Sequence, residues 1–167
     1  MAIVTFADLA SIRTRHVREK IVFCSGGFDF THIAHALFLQ DCKKQGDVLV
    51  VMVARDTSRM RDKKDRQTLF NEQARLAMID FLKPVDYSFL EGKVPDNVKP
   101  LHCLDRVFES LRPDVYVIND DAYDISYRQK LARSFDVELV IGQRHLQFGD
   151  ISTTWIIDRV WESQKGV

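Results

Sequence analysis

Two continuous apolar runs constrain the fold of this chain more than any other feature. Residues 21–24 (IVFC) and 47–54 (DVLVVMVA) show no alternation of polar and apolar side chains. A strand of this composition is buried on both faces, which is typical of a parallel sheet covered by helices. The second run is rich in β-branched residues and carries the stronger strand signal. We therefore expect an α/β protein.

Strand and helix patterns alternate along the rest of the chain. The predicted strands are residues 21–24, 47–54, 86–90, 114–118 and 137–141. The predicted helices are residues 6–13, 32–45, 71–82, 101–111, 126–135 and 153–162. This alternation predicts a Rossmann-like, doubly wound, five-stranded parallel sheet with helices on both faces.

The length of 167 residues fits one domain with a single core. We expect that domain to span residues 1–167, with a core at 21–163 and an N-terminal helix and lead-in at 1–20. In the helix predicted at 71–82, Asn71 is a candidate N-cap. The candidate core residues of this helix are Leu76, Met78, Ile79 and Leu82.

Charge and composition limit the classes of partner. The 24 basic and 24 acidic residues balance, whereas nucleic acids and membrane surfaces select a basic excess. The three cysteines form no C-x-x-C pair, which favours reduced thiols over a disulfide framework or zinc knuckle. The sequence has no signal-peptide pattern and no apolar run long enough to span a bilayer, so we expect a cytoplasmic protein.

A glycine turn after the first strand is the first candidate site. Residues 26–35 (GGFDFTHIAH) pass from strand to turn to helix start, a layout in which backbone N–H groups face an anion. His32 and His35 are three residues apart in the first helical turn and are expected to point into the same space. The turn lacks the glycines of a dinucleotide fingerprint and the lysine of a P-loop. Metal binding would need further ligands.

Ser152, Thr153 and Thr154 begin the last predicted helix and form a second candidate site. Their hydroxyl and backbone N–H groups suit an anion, although alone they also read as an ordinary helix cap. The two histidines, likewise, could simply cap their helix. Two anion-suited helix starts in one parallel domain favour phosphoryl or nucleotidyl transfer, which needs positioned donors around phosphate oxygens.

These motifs resemble the signatures of the cytidylyltransferase-like nucleotidyltransferases. Residues 26–35 resemble their G-x-F-D-x-x-H-x-G-H signature, and residues 151–154 (ISTT) resemble their second one. The resemblance extends to glycerol phosphate cytidylyltransferases. Residues 54–86 are similar to the middle section of archaeal-type FAD synthases, and the N-terminal helix with its strand is similar to the adenylyltransferase part of ADP-heptose synthases.

The resemblance implies transfer of CMP or AMP from a nucleoside triphosphate to a phosphorylated small molecule, with release of pyrophosphate. His32 and His35 would stabilise the α-phosphate, and Lys63 (or Lys64) would contact the phosphates. On composition alone, however, the polar run 55–66 that holds these lysines reads as a solvated loop. The nucleotide-binding residues implied are Gly27, Phe28, Asp29, Ser152, Thr153 and Thr154. The substrate-binding residues implied are Arg75, Asn119 and Asp120.

The same resemblance implies Mg²⁺ held mainly by substrate phosphates, no protein metal site, and a homodimer. The base and the acceptor would be read by the loops at 119–123 and 142–149. Family frequency slightly favours CMP over AMP, and the acceptor candidates are sugar, polyol and flavin phosphates.

Three positions depart from the family pattern. Ala34 and Asp150 stand where glycines are usual, and Gln147 stands where many members have arginine. These changes leave open a nucleotide-binding module with impaired catalysis. A fragment of a class I aminoacyl-tRNA synthetase shares the H-x-G-H element, but this short, neutral chain lacks a K-M-S-K-S-like loop.

Overall fold

The computed structural model describes residues 2–58, 68–93, 100–143, 145, 148–149 and 151–165. The strands are β1 Ala2–Val4, β2 Ile21–Gly26, β3 Val48–Val53, β4 Tyr87–Leu90, β5 Val115–Asn119 and β6 Glu138–Gly142. The helices used below are α1 Leu9–Arg15, α2 Ile33–Lys43, α3 Glu72–Asp80, α4 Cys103–Leu111, α5 Ile125–Ser134 and α6 Thr153–Lys165.

These strands form one parallel sheet in the order β1-β4-β3-β2-β5-β6. The order reverses between β2 and β5, which pair with Val22 opposite Val115. Neighbouring loops diverge at such a switch point and leave a crevice beyond the carboxyl ends of the strands. The predicted fold class is confirmed.

The predicted strand number was too low by one in the described chain. Strand β1 adds to the sheet edge, with Ala2 opposite Tyr87 on β4. This strand has only three residues and little burial, so it carries no apolar run that a sequence pattern could reveal.

Helices cover both faces of the sheet, because β2 and β3 are apolar at successive positions. Phe23 packs with residues of α1, α4 and α5 on one face, and its ring stacks on that of Tyr116 at 5.4 Å. Val22 and Cys24 pack with residues of α2 and α3 on the other face. All six residues of β3 are buried, which confirms the two-sided strand predicted from the sequence.

Helix α3 begins where the sequence predicts, since the Asn71 side chain accepts a hydrogen bond from the Ala74 backbone N–H at 2.9 Å. The predicted core of this helix was wrong at Met78, which is 47% exposed. Its buried stripe consists of Arg75, Leu76 and Ile79. The apolar pattern did not predict this buried face of the helix, because one of its inward positions is occupied by a charged residue, Arg75.

We predict that Gly46→Ala destabilises the sheet where α2 returns to β3. A Cβ atom at position 46 would lie 2.6 Å from the backbone oxygen of Lys20, which cannot move without shifting the start of β2. The free energy of unfolding, measured by urea denaturation, should fall by about 1–3 kcal/mol. Gly92→Ala is the matched control, because its Cβ would meet only the Phe6 ring at 3.7 Å. An equal loss in both variants would contradict this account.

Candidate functional site

The loop after β2 has a strained backbone held by close packing. Phe28 and Phe30 have φ angles of +49° and +50°, in the left-handed region that bulky residues rarely adopt. The buried Phe28 ring folds back on Gly26, where a Cβ would lie 2.8 Å from it. A residue larger than glycine at position 26 would therefore have to displace the Phe28 ring. Such strain persists where surrounding contacts enforce it, and it clusters at ligand sites.

Asp29 lies between these two residues and fixes the loop to the segment before α3. Its carboxylate accepts hydrogen bonds from the backbone N–H groups of Leu69 at 3.0 Å and Phe70 at 3.1 Å. The rings of Phe30 and Phe70 stack at 5.9 Å. These contacts of Asp29 are structural, and its contact with a nucleotide stays a prediction.

Arg75 gathers three segments at the carboxyl edge of the sheet. Its side chain is 1% exposed, and its guanidinium donates to the backbone oxygens of Gly27, of Ala54 at 2.8 Å and of Phe70 at 3.1 Å. It also pairs with Asp56 at 2.7 Å. Burial alone would raise the pKa of Asp56, but hydrogen bonds from Arg75 and the Glu72 backbone lower it below its ordinary value.

These contacts make Arg75 a positioning residue in this structure. Sequence reasoning placed it against the substrate, whereas the hydrogen bonds observed here all end on the protein itself. Direct contact between Arg75 and substrate stays a prediction.

The two predicted histidines lie side by side at the start of α2. Their ring centroids are 4.0 Å apart, and His35 Nδ1 accepts the His32 backbone N–H at 3.3 Å. The Phe28 ring contacts His35 edge-on at 5.6 Å, so the strained loop positions this ring.

One nitrogen of this pair lacks a hydrogen-bond partner in the part of the chain that the structure describes. His32 Nδ1 is buried and has no hydrogen-bond partner within the described residues. Burial also lowers the pKa of His32 below its ordinary 6.5, which favours a neutral imidazole at pH 7. A buried polar atom without a partner is costly, so an unpaired nitrogen at a helix start is a candidate contact for a ligand.

The start of α6 lies against the loop after β2, although the two are far apart in sequence. Thr153 Oγ1 donates to the Asp29 backbone oxygen at 2.9 Å. Ser152 Oγ accepts the Trp155 backbone N–H at 3.1 Å, which is the helix cap that the sequence predicts. Thr154 is exposed at the first turn. Both anion-suited helix starts therefore lie in one region at the carboxyl edge.

The other predicted site residues fall at or beyond this edge. Asn119 ends β5, which neighbours β2 at the switch point, and Asp120 is exposed beside it, with its N–H donating to Gly142 at 3.2 Å. Lys63 lies outside the described residues, as do Gln147 and Asp150. Their predicted roles stay predictions.

Two buried charged residues near the carboxyl edge escaped sequence reasoning. Glu91 directly follows β4, and its carboxylate accepts the Arg55 backbone N–H at 2.9 Å and the Cys103 thiol at 3.1 Å. Arg128 projects from α5 towards Ser25 at the end of β2. A charged residue directly after an apolar strand was the available signal for Glu91, whereas nothing local distinguishes Arg128 from other helix arginines.

The described ranges contain no group of three or more His, Cys, Asp or Glu side chains able to hold a metal ion. Within the same part of the chain, none of the helices has both the length and the apolar character needed to cross a membrane.

The sheet order, the switch-point crevice and the paired helix starts define a Rossmann-like α/β protein with a site suited to polyphosphates. A family model described as cytidylyltransferase-like matches residues 23–160. The chain therefore belongs to the cytidylyltransferase-like family of nucleotidyltransferases. This finding confirms the resemblance and the predicted class of enzyme.

Several known proteins are similar to this chain over most of its length. A FAD synthase of Methanosphaerula palustris is 35% identical over 150 residues, which cover 86% of this chain and 88% of that protein. The bifunctional protein HldE of Helicobacter pylori strain G27 is 31% identical over 87% of this chain. A lipopolysaccharide core biosynthesis protein of Thermoplasma volcanium has a solved structure with a TM-score of 0.58 and 30% identity, covering 76% of this chain and 97% of that one.

The matches cover different shares of the relatives' own lengths. The match to HldE covers 28% of that protein's length, and a match to a FAD synthase of Aciduliprofundum boonei, 38% identical over 65% of this chain, covers 64% of that relative. Similarity to such proteins therefore concerns the shared nucleotidyltransferase region.

We predict that His32 titrates below pH 6.5, because burial disfavours its charged form. The imidazole proton signals in an NMR pH titration should give a midpoint below 6.5 for the signal that is absent from His32→Gln. The unfolded chain then binds this proton more readily than the folded one, so His32 lowers stability as the pH falls below about 6.5. A midpoint above 6.5 would contradict the assignment of a neutral ring.

Proposed function

We propose that this protein transfers a nucleotidyl group from a nucleoside triphosphate to the phosphate of a small molecule and releases pyrophosphate. The observation that carries the proposal is the contact between Thr153 and Asp29, which puts the start of α6 beside the histidine pair. One triphosphate can then contact both helix starts. Family membership gives the reaction class.

The histidines would act on the α-phosphate. Because His35 Nδ1 accepts the His32 backbone N–H, the ring proton of a neutral His35 is on Nε2, from which it would be donated to a phosphate oxygen once the triphosphate is bound. His32 adds a nitrogen that is unpaired in the described structure. Donors held in position before the reaction stabilise the charge that develops on the phosphate oxygens.

The hydroxyl residues Ser152, Thr153 and Thr154 would hold the β- and γ-phosphates at the start of α6. The acceptor phosphate oxygen attacks the α-phosphorus in line, the bond to the bridging oxygen breaks, and pyrophosphate leaves with the electron pair. Lys63 would contact the same phosphates. The loop around Gly27 and Phe28 would position the nucleotide with its backbone.

Mg²⁺ would be held mainly by the phosphates. The described residues offer no three-ligand cluster, and a hard cation that keeps phosphate and water ligands needs none. The chemistry that it would supply is neutralisation of phosphate charge, and the protein's own share is orientation of the two reactants.

The named relatives favour adenylyl over cytidylyl transfer. FAD is FMN joined to AMP, so a FAD synthase requires an adenine nucleotide and a flavin phosphate. We propose ATP as the first nucleotide to test and CTP as the second, with FMN and sugar or polyol phosphates as acceptors. Asn119 and Asp120 lie at the switch point, where they would read the base or the acceptor.

The oligomeric state and the location proposed here are those expected from the sequence. We propose a homodimer acting in the cytoplasm, where nucleoside triphosphates are available. Exposed apolar side chains on α6, among them Trp155 and Trp161, fit a contact with a second copy.

A catalytically impaired module is the second candidate. Ala34 lies in the first turn of α2, between the two histidines, and is partly buried there. Its methyl group is a steric difference from the family glycine at the place where the nucleotide would approach. An impaired module would bind nucleotide without turning it over, so an assay of turnover separates the two candidates.

We predict pyrophosphate release that depends on His35. An enzyme-coupled assay with Mg²⁺, ATP or CTP and a panel of phosphorylated acceptors should show turnover, and His35→Ala should lower kcat/KM by about 10²–10³. His102→Ala is the matched control, because that imidazole is 51% exposed and its contacts among the described residues are with Asp105 and Tyr127 rather than with the histidine pair.

Two outcomes would contradict the enzyme. Binding of nucleotide without turnover on the whole panel would favour the impaired module. Turnover that survives His35→Ala would remove the histidine pair from the mechanism.

A further inference from the structure

Arg128 lies on α5 beneath the switch point, surrounded by neutral acceptors. Its side chain is 8% exposed. Nε donates to the Tyr123 backbone oxygen at 2.8 Å, and Nη1 lies within hydrogen-bond distance of the Tyr116 hydroxyl and of Ser25 Oγ at 3.5 Å. Nη2 has no acceptor among the residues described.

The hydrogen bonds of Arg128 to described residues all go to neutral groups, so none of them neutralises its positive charge. Arg128 has no ion pair in the described ranges, whereas the other buried arginine, Arg75, pairs with Asp56 at 2.7 Å. Tyr116 does not supply the missing charge, because burial raises the pKa of its hydroxyl and keeps it protonated. Glu91 instead accepts from the Arg55 backbone and the Cys103 thiol.

A buried cation without a counter-charge is unfavourable, and a bound anion would relieve it. The structural alternative is that neutral hydrogen bonds suffice and Arg128 only packs α5 against the sheet. The two possibilities predict different results for phosphate binding, because only an anion site would lose phosphate affinity when Arg128 is replaced.

The position of Arg128 indicates which phosphate it would bind, that of the acceptor or that of the nucleotide. Its neighbour Ser25 directly precedes Gly26, and Tyr116 belongs to the sheet face that α1, α4 and α5 cover. The histidine pair begins α2, which covers the opposite face. In-line transfer needs the attacking and leaving groups on opposite sides of the α-phosphorus. If the histidines and α6 hold the triphosphate, the α5 side is left for the attacking group.

We propose that the Arg128 guanidinium, together with Ser25 Oγ, binds the phosphate group of the acceptor on the α5 side of the crevice. Arginine suits this role, because its planar donors bind two oxygens of one phosphate. The inference rests on the proposed function, from which it takes the location of the triphosphate. It adds a phosphate-binding residue outside the two sequence signatures.

Binding of inorganic phosphate tests this proposal without turnover. Phosphate is titrated by calorimetry into protein saturated with Mg²⁺ and α,β-methylene-ATP, whose α–β bridge resists cleavage. In Arg128→Gln, phosphate affinity should fall by about tenfold or more, because a charge-assisted bidentate contact is lost. Arg133→Gln is the matched control, since Arg133 is exposed on the same helix and its loss should change phosphate affinity by less than about twofold. Affinity for the ATP analogue should stay within about threefold in both variants.

Three outcomes overturn the proposal: wild-type protein that binds no phosphate, unchanged phosphate affinity in Arg128→Gln, or loss of analogue affinity in place of phosphate affinity. The last outcome would assign the guanidinium to the nucleotide. If Arg128→Gln does not fold, Arg128→Lys keeps the charge without the planar fork, and it should still weaken phosphate binding by about threefold or more. Unchanged affinity there overturns the proposal as well.

Failure of the proposed function is distinguishable from failure of this inference. Absence of turnover with every nucleotide and acceptor would overturn the function alone. If the ATP analogue does not bind, the same phosphate titration is made without it, and an Arg128-dependent affinity would still support the anion site.

Discussion

Hydrogen bonds from three other segments of the chain hold the strained loop after β2 in place, and the candidate site depends on these contacts. The Asp29 carboxylate binds the segment before α3, the buried Arg75 guanidinium binds the Gly27 carbonyl, and Thr153 reaches the Asp29 carbonyl from α6. Each of these hydrogen bonds joins segments that are distant in sequence. The shape of the loop therefore depends on tertiary contacts rather than on its local sequence alone.

Arg75 is the most deeply buried of these contacts and links the loop to the fold's stability. Removing one member of a fully buried ion pair typically costs about 3–5 kcal/mol, and the 31% exposure of the Asp56 side chain puts this pair below that range. Asp56, the partner of Arg75, also accepts the Glu72 backbone N–H at 3.1 Å at the start of α3. The same interaction thus orders the loops after β2 and β3 and the start of α3, around the histidine pair.

Features of short range were predictable from the sequence. The apolar runs predicted a parallel sheet because side-chain burial on both faces leaves a local pattern, and the three-residue spacing placed His32 beside His35. The Asn71 and Ser152 caps were predictable for the same reason. The resemblance added the link between residues 26–35 and 151–154, which no local rule supplies.

Features that depend on distant partners were not predictable. The burial of Arg75 requires carbonyl groups of Gly27 and Ala54, and Arg128 meets Ser25 from the far side of the switch point. Met78 was misplaced because an apolar pattern counts hydrophobic residues only, whereas the buried face of α3 includes the charged residue Arg75 and leaves Met78 exposed. Short β1 was missed because edge pairing, rather than burial, defines it.

The central claim is that the start of α2 and the start of α6 bind one triphosphate between them. A crystal structure with Mg²⁺ and α,β-methylene-ATP tests it most directly. The claim predicts an α-phosphate oxygen within about 3 Å of a ring nitrogen of His32 or His35, with the β- and γ-phosphates at Ser152–Thr154. A triphosphate bound elsewhere, or one that contacts only one of the two helix starts, would contradict it.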